Sequence, residues 1–340
     1  MTTLTEVAKL AGVTAATVSN VLRKRGKVGE ATRKRVLEAV DALGYRPHLT
    51  ARALAEGSAP TLALMVSSIA NPFYPEFALA AERAARESGR FLIVCNTNED
   101  PAIGRAYLEQ IAGTLSEGVL VMNANLDFDD LRKTQARGTA VVLCMWERPG
   151  APPGMPCIAV DFFAAGAIAA RHLLDLGHTR IGAIIGSPPG GVQAARYEGF
   201  CATLREAGIA HVPAESRFTR DSIRGGYEAA SELLAAFPDL TAIFATNDLP
   251  ALGATHAAAD AGLRIPEDLS VIGITDIQLA RESRPALSTV AVPTEIAATM
   301  AVKLLRALID GSAAGALMQV APTPGLVVRA STGAARKQYP

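Results

Sequence analysis

Residues 4–22, LTEVAKLAGVTAATVSNVL, read as two short helices folded across a tight turn. Gly12 sits where the chain reverses, a position that often needs a positive φ and so favours glycine. Ala8 falls where the helices cross closely, and Val18 fills the space between them. Thr5 and Thr14 are placed as N-caps. At roughly 100° per residue, Thr17, Val18 and Val21 face one side of the second helix. Ala15, Ala16, Ser19, Asn20 and Arg23 share the other side. An outer face of small and polar residues lets a helix backbone approach a nucleic-acid groove. Asn20 can pair with adenine there, and the alanine methyls can touch a thymine methyl. The plain alternative is a helical hairpin with a solvated face.

Charge distinguishes the two. Residues 1–57 carry ten Lys/Arg against five Asp/Glu, and residues 58–340 carry 23 against 28. The formal net charge of zero therefore hides a basic front and an acidic body, which points to phosphate binding at one end only. Ala31–Leu43 is a third, amphipathic helix whose Val36, Leu37, Val40 and Leu43 form the packing stripe. Arg33, Lys34 and Arg35 lie near its first turn, where cations oppose the helix dipole and nearby phosphates explain them better. Gly44 closes this helix and Pro47 stops it. Thr50–Gly57 then reads as a capped helix of about two turns, too short to hold alone in water.

Seven stretches carry a resemblance over essentially the whole chain: LTEVAKLAGVTAATVSNVL, LGYRPHLTARAL, SSIANPFYPEF, VDFFAAGAIAARHLLDLGHTRIG, RYEGF, TNDLPALGA and IPEDLSVIGITD. In these the chain resembles the LacI/GalR (lactose-repressor-like) family of transcription regulators. The resemblance implies a helix-turn-helix headpiece at residues 1–47, a hinge helix and linker at 48–59, and an effector-binding and dimerisation core at 60–340. It implies a homodimer on double-stranded, pseudo-palindromic operator DNA, with hinge helices that form only on that DNA. Leu54 matches the residue that wedges into the minor groove, where an apolar side chain partly unstacks a base step. Packing of Leu54 on the core is the other reading. The candidate DNA-contacting residues are Thr5, Thr14, Ala15, Ala16, Thr17, Ser19, Asn20, Arg23, Lys27, Arg33, Tyr45, His48, Ala51 and Leu54. Where many members carry Lys or Arg after the leucine, this chain has Ala55, one phosphate contact fewer.

In the core, apolar segments alternate with amphipathic helical ones, and a hydrophobic content of 49% permits substantial cores. The regular βα alternation predicts an α/β fold of parallel sheets wrapped by helices behind an all-α headpiece. Expected strands are 61–66, 91–95, 118–122, 140–144, 157–160, 180–185, 242–245 and 270–274. Expected helices are 74–88, 102–115, 162–176, 193–207, 225–236, 250–261 and 294–308. Chain crossings near 160–162, 290–294 and 320–323 would give the two-lobed, periplasmic-binding-protein-like core of the family. Lobe 1 is then about 60–160 and 292–321, and lobe 2 about 161–291 and 322–332.

Ligands of open α/β sheets bind beyond the carboxyl ends of the strands. Phe73 and Tyr74 follow the first strand; alone they read as core packing, and the resemblance makes them stacking surfaces for a sugar or purine ring. Trp146 follows a strand and closes the cleft or sits at the hinge. Arg196 matches the arginine that reaches into the cleft, where a guanidinium suits vicinal hydroxyls or a carboxylate. Asn247 and Asp248 end a strand and face an effector, unless Asp248 caps the next helix. Asp161 is a hinge or ligand residue. Thr275 stands where many sugar-responsive members have Asp, so an anionic effector such as a sugar acid is less disfavoured there. The expected partner is accordingly a carbohydrate or sugar acid, with a purine-like effector as the alternative.

Enzyme chemistry finds little support. Cysteines 95, 144, 157 and 201 have neither zinc-type nor CxxC spacing, and the five histidines show no HExxH. The glycine-rich run at 185–191 lacks a nucleotide fingerprint. No metal or cofactor is expected, and a transport-type solute receptor would lack the headpiece. The absence of a signal peptide and of an apolar run of about eighteen residues points to a cytoplasmic protein without a membrane segment. The tail 331–340 has no apolar heptad, so the expected assembly stops at a dimer. The expected mechanism is a population shift: an effector between the lobes changes their closure and so whether both headpieces engage.

Overall fold

The computed structural model describes residues 2–22, 26–45, 61–111, 116–122, 126–210, 213–312 and 317–336. The chain divides into two compact units, Met1–Ala59 and Pro60–Pro340. Arg23, His48, Ala51, Leu54 and the hinge segment 50–57 lie outside the described residues.

The first unit contains the helices Leu4–Ala11, Ala15–Leu22 and Glu30–Ala42. Val7, Ala8, Ala11, Val18, Val21, Val36 and Ala39 form its buried core. Gly12 takes φ 62° and ψ 41°, and its N–H donates to the carbonyls of Ala8 and Lys9. That left-handed turn is the conformation glycine adopts without strain. The Thr14 hydroxyl accepts from the Thr17 amide at 3.2 Å, capping the second helix. The first helix is capped by Thr3, not by Thr5. The Thr3 hydroxyl accepts from the Glu6 amide, and the Glu6 carboxylate accepts from the Thr3 amide at 2.7 Å. This reciprocal pair satisfies two amides, whereas Thr5 has only Ala8 three residues on and sits exposed within the helix. In the third helix Leu37 is 46% exposed and Ala39 takes its place in the core. Positions 36, 39, 40 and 43 share one face of a 3.6-residue helix, and 37 falls off it.

The second unit holds two six-stranded sheets. The first is ordered β11–β5–β4–β3–β1–β2, with β1 Thr61–Val66, β2 Phe91–Asn96, β3 Gly118–Met122, β4 Ala140–Trp146, β5 Cys157–Ala159 and β11 Met318–Val320. The second is ordered β12–β10–β9–β8–β6–β7, with β6 Ile181–Ile185, β7 Ser216–Phe218, β8 Ala242–Ala245, β9 Ser270–Thr275, β10 Ser288–Ala291 and β12 Gly325–Val327. Pairings are parallel except β10 with β12. β1, β3, β6, β8 and β9 read as almost uninterrupted apolar runs because both faces are covered. Residues 160–161, 292–293 and 321–324 carry the chain from one sheet to the other. Each sheet with its helices is therefore a lobe assembled from separated segments. Helix Thr294–Ile309 returns to the first lobe and packs against helix Phe73–Glu87.

In the second lobe, helix Phe162–Asp175 crosses helix Ala194–Glu206 at backbone contact. A Cβ on Gly166 would stand 1.8 Å from the Arg196 carbonyl oxygen, and one on Gly199 would stand 2.0 Å from that of Phe163. This approach sets the height of Arg196 above Phe162. Gly166→Val should drive the helices apart and lower the melting temperature by roughly 5–10 °C, since overpacking of a few kcal/mol moves a core this large by that amount. An unchanged melting temperature would mean the crossing is looser than described.

Candidate functional site

The cleft between the lobes begins at a bulge. β4 shifts register against β5 between Cys144 and Trp146, and Met145 takes φ 59°. The extra residue re-aims the end of the strand, a common effect of a bulge at a site rim. Glu147, the next residue beyond Trp146, thereby reaches across to the second lobe.

There it meets Arg196. Arg196 is 3% exposed, and its Nη2 donates to Glu147 Oε1 at 2.9 Å. Its Nη1 donates to the Thr246 carbonyl at 2.9 Å and to Asn247 Oδ1 at 2.6 Å. The guanidinium lies over the Phe162 ring, 4.0 Å from its centroid. Asn247 Nδ2 donates in turn to Asp221 Oδ2 at 2.6 Å. Asn71, from the first lobe, donates to the same oxygen at 2.9 Å. A continuous chain therefore runs Glu147–Arg196–Asn247–Asp221–Asn71, leaving the first lobe and returning to it. Among the described residues, two further residue pairs join the lobes: Arg148 donates to both Glu198 oxygens, at 2.9 and 2.7 Å, and the Gln278 backbone amide donates to Glu76 at 2.8 Å. Among the described residues, Arg196 Nε and Asp221 Oδ1 are buried without a hydrogen-bond partner.

Burial dominates the electrostatics. Desolvation pushes the Glu147 carboxyl up to about 7 against the pull of Arg196. It pushes Asp221 up to about 6 against its bonds to Asn247 and the charge of Arg196. Asp248 likewise rises to about 6. These raised carboxyls hold protons that the unfolded chain releases, so the stability they contribute is lost as pH rises through roughly 4 to 7, while His172 and His178, lowered by burial, act in the opposite sense. The core should melt at a higher temperature at pH 5.5 than at pH 8, and Glu147→Gln should flatten that slope. A slope of the opposite sign would show that other groups govern it.

The expected effector residues divide. Arg196 and Asn247 come together at the cleft. Asp161 caps helix Phe162–Asp175, its Oδ1 accepting from the Ala164 amide at 2.8 Å, and remains half-buried at a lobe crossing. Asp248 is elsewhere: it is fully buried and ties strands together. Its Oδ1 accepts from Thr289 at 2.6 Å, and its Oδ2 accepts from Thr275 and from the Ile277 amide at 3.1 and 3.0 Å. Thr275, at φ 123°, donates its hydroxyl to this carboxylate. Phe73 and Tyr74 are 5% and 8% exposed, with rings packed edge to face at 5.8 Å, so they belong to the core. Trp146 donates its ring N–H to the carbonyls of Arg148 and Ala151 and packs on Phe128, which fixes the loop that carries Glu147.

Glu147, Asp221 and Asn71 were not singled out by sequence. Glu147 does obey the rule of residues just past a strand end. Asp221 follows β7, a three-residue strand (SRF) with no apolar run to mark it.

In the headpiece, Thr14, Ala16, Asn20 and Lys27 are exposed, and Ala15, Thr17, Ser19, Arg33 and Tyr45 are half-buried. The outer face of helix Ala15–Leu22 is open while Val18 and Val21 close the inner one.

A three-helix headpiece followed by a two-lobed α/β core with a cleft defines a ligand-binding core joined to a helix-turn-helix module. Comparison with known proteins gives the family. The family of bacterial regulatory proteins, lacI family, matches residues 3–48, and the periplasmic binding protein-like domain matches residues 170–332. The transcriptional regulator GalR of Escherichia coli is 34% identical over 91% of this chain and 90% of its own. The Lac repressor dimer bound to operator and the anti-inducer ONPF superposes with a TM-score of 0.86, at 25% identity, over 98% of this chain and 99% of that one. The regulator CelR in its cellobiose complex gives 0.73 at 29% identity, over 97% of this chain and all of that one. The chain belongs to the LacI family of DNA-binding transcriptional regulators. Among the described residues no helix is long and apolar enough to cross a membrane.

Proposed function

We propose that this regulator is a repressor whose operator affinity is set by a small, neutral, hydroxyl-rich molecule bound between residues 60–160 with 292–321 and residues 161–291 with 322–332. One observation carries the reading: the buried Arg196 lies in a network shared by both lobes, and a donor (Arg196 Nε) and an acceptor (Asp221 Oδ1) in that network are unspent. A hydroxyl serves as both donor and acceptor, and buried polar atoms left unpaired cost about 1–3 kcal/mol each. The neutral class follows from charge. Glu147 and Asp221 both stand beside the guanidinium, so a carboxylate or phosphate that took the place of Glu147 would still face two acidic groups. The cellobiose of CelR supports a carbohydrate by analogy.

On the DNA side, Ala15, Ala16, Ser19 and Asn20 read base edges while Lys27 and Arg33 contact phosphates, an assignment supported by the open outer face of helix Ala15–Leu22. A homodimer fits the outer face of lobe 1. Ile69, Leu79, Phe91 and Val94 are 55%, 54%, 63% and 44% exposed. Ile69, Leu79 and Val94 border a hollow of about 380 Å³ that Tyr74 and Leu92 also line. A contiguous apolar face of this kind marks an interface, and twofold pairing would place two headpieces on two half-sites.

DNA sites selected from a random pool with the purified protein should be pseudo-palindromic. In a thermal-shift panel of sugars, polyols, sugar acids and purines, neutral sugars or polyols should stabilise the core. Stabilisation by sugar acids alone would reject the neutral class.

A further inference from the structure

We propose that Glu147 and Asn71, both from the first lobe, form a latch with Arg196 and Asp221 of the second, so that the lobes close on the chain's own side chains. The distances are those of strong bonds: 2.9 Å from Arg196 Nη2 to Glu147 Oε1, and 2.9 Å from Asn71 Nδ2 to Asp221 Oδ2, with Asn247 joining the two at 2.6 Å on each side. The Glu147 and Arg196 side chains are 13% and 4% exposed, so the contact is shielded from solvent screening. The neighbouring bridge, Arg148 with Glu198, is 46% and 49% exposed and is the kind of pair that contributes little. The latch is asymmetric. Lobe 2 holds a fixed platform, in which Arg196 is pinned by the Thr246 carbonyl, Asn247 and the Phe162 ring. Lobe 1 supplies two side chains at loop positions, one past the β4 bulge and one ahead of helix Phe73–Glu87. Opening the lobes therefore strips the platform of its two partners and leaves its charges intact.

A consequence for ligand choice rests on the effector reading above. A molecule entering the cleft exchanges with Glu147 at the guanidinium and with Asn71 at Asp221. It must bring an acceptor and a donor of its own, and its apparent affinity is lowered by the population of the latched state. Glu147 and Asn71 are thereby specificity-determining residues, because a ligand lacking either group leaves Arg196 or Asp221 buried and unpaired.

Hydrogen–deuterium exchange on the full-length protein, with no added small molecule or DNA, tests the latch independently of the effector reading. Asn71→Ala and Glu147→Ala should each raise exchange in the facing segments 67–71, 145–149, 193–197 and 219–222 by about tenfold, with far-UV circular dichroism unchanged, since a charge-assisted or buried bond of that strength governs local opening. Arg148→Ala should raise it by less than about threefold. The proposal is overturned if both variants remain within about twofold of the parent in these segments, or if exchange rises equally throughout the core. Equal effects from Arg148→Ala would overturn it too. Should Glu147→Ala fail to fold, Asn71→Ala alone decides, read in the second-lobe segments 193–197 and 219–222, because in the first lobe it also removes the acceptor of the Phe73 amide.

Discussion

Removing residues 1–59 should abolish sequence-specific DNA binding while the core stays folded and keeps its ligand. The two units are separately compact, and each has its own hydrophobic core. The ten basic side chains of residues 1–57 leave with the deletion, and the remaining body carries more acid than base. Phosphate contacts supply most of the salt-dependent affinity for DNA, so operator affinity should fall by at least about a thousandfold. Fluorescence anisotropy on a selected site, read at two salt concentrations, measures the loss. The truncated chain should melt within a few degrees of the parent core and respond to the same small molecules. Retention of operator affinity would place the DNA contacts elsewhere in the chain.

The second large effect is expected at Arg196. Arg196→Leu leaves Glu147 and Asp221 buried without the cation that faces them, and removes one donor pair from Thr246 and Asn247. Breaking one side of such a buried arrangement costs about 3–5 kcal/mol, most of it from the stranded charge. The carboxyls can escape by taking protons, which their raised values already favour. Stability loss should therefore be smaller at pH 5.5 than at pH 8. Response to ligand should disappear at either pH, because the donor that reads the effector is gone. Thermal melting at both pH values, with and without ligand, separates the two consequences. A variant that melts like the parent and still responds would remove Arg196 from the account.

Much of this architecture was legible in the residues, and the exceptions are physical. Continuous apolar runs such as TLALMV and GVLVM announce strands covered on both faces, and Gly12 between two amphipathic segments announces the turn. Short strands do not announce themselves: Ser288–Ala291, inside the second sheet, and Met318–Val320, at an edge of the first, are held by their neighbours in the sheet, not by a pattern of their own. In the site, a rule about strand ends finds Arg196's partner Asn247 but cannot say which way Asp248 turns. The direction is set by Thr289 on β10, 41 residues further along the chain. The same holds for Thr275, whose hydroxyl donates to that buried carboxylate, a partner 27 residues away that no local pattern announces. Glu147 depends on one bulged residue, and no local periodicity encodes which way a bulge re-aims a strand end.

A molecule in the cleft should govern what the headpiece does on DNA. Operator affinity of the full-length protein should be measured by anisotropy with and without the ligand that most stabilises the core, for the parent and for Arg196→Leu. A shift of at least about tenfold in the parent, absent in the variant, is the predicted result, corresponding to the usual size of a coupling between sites. An operator affinity that no core-stabilising ligand alters would contradict it.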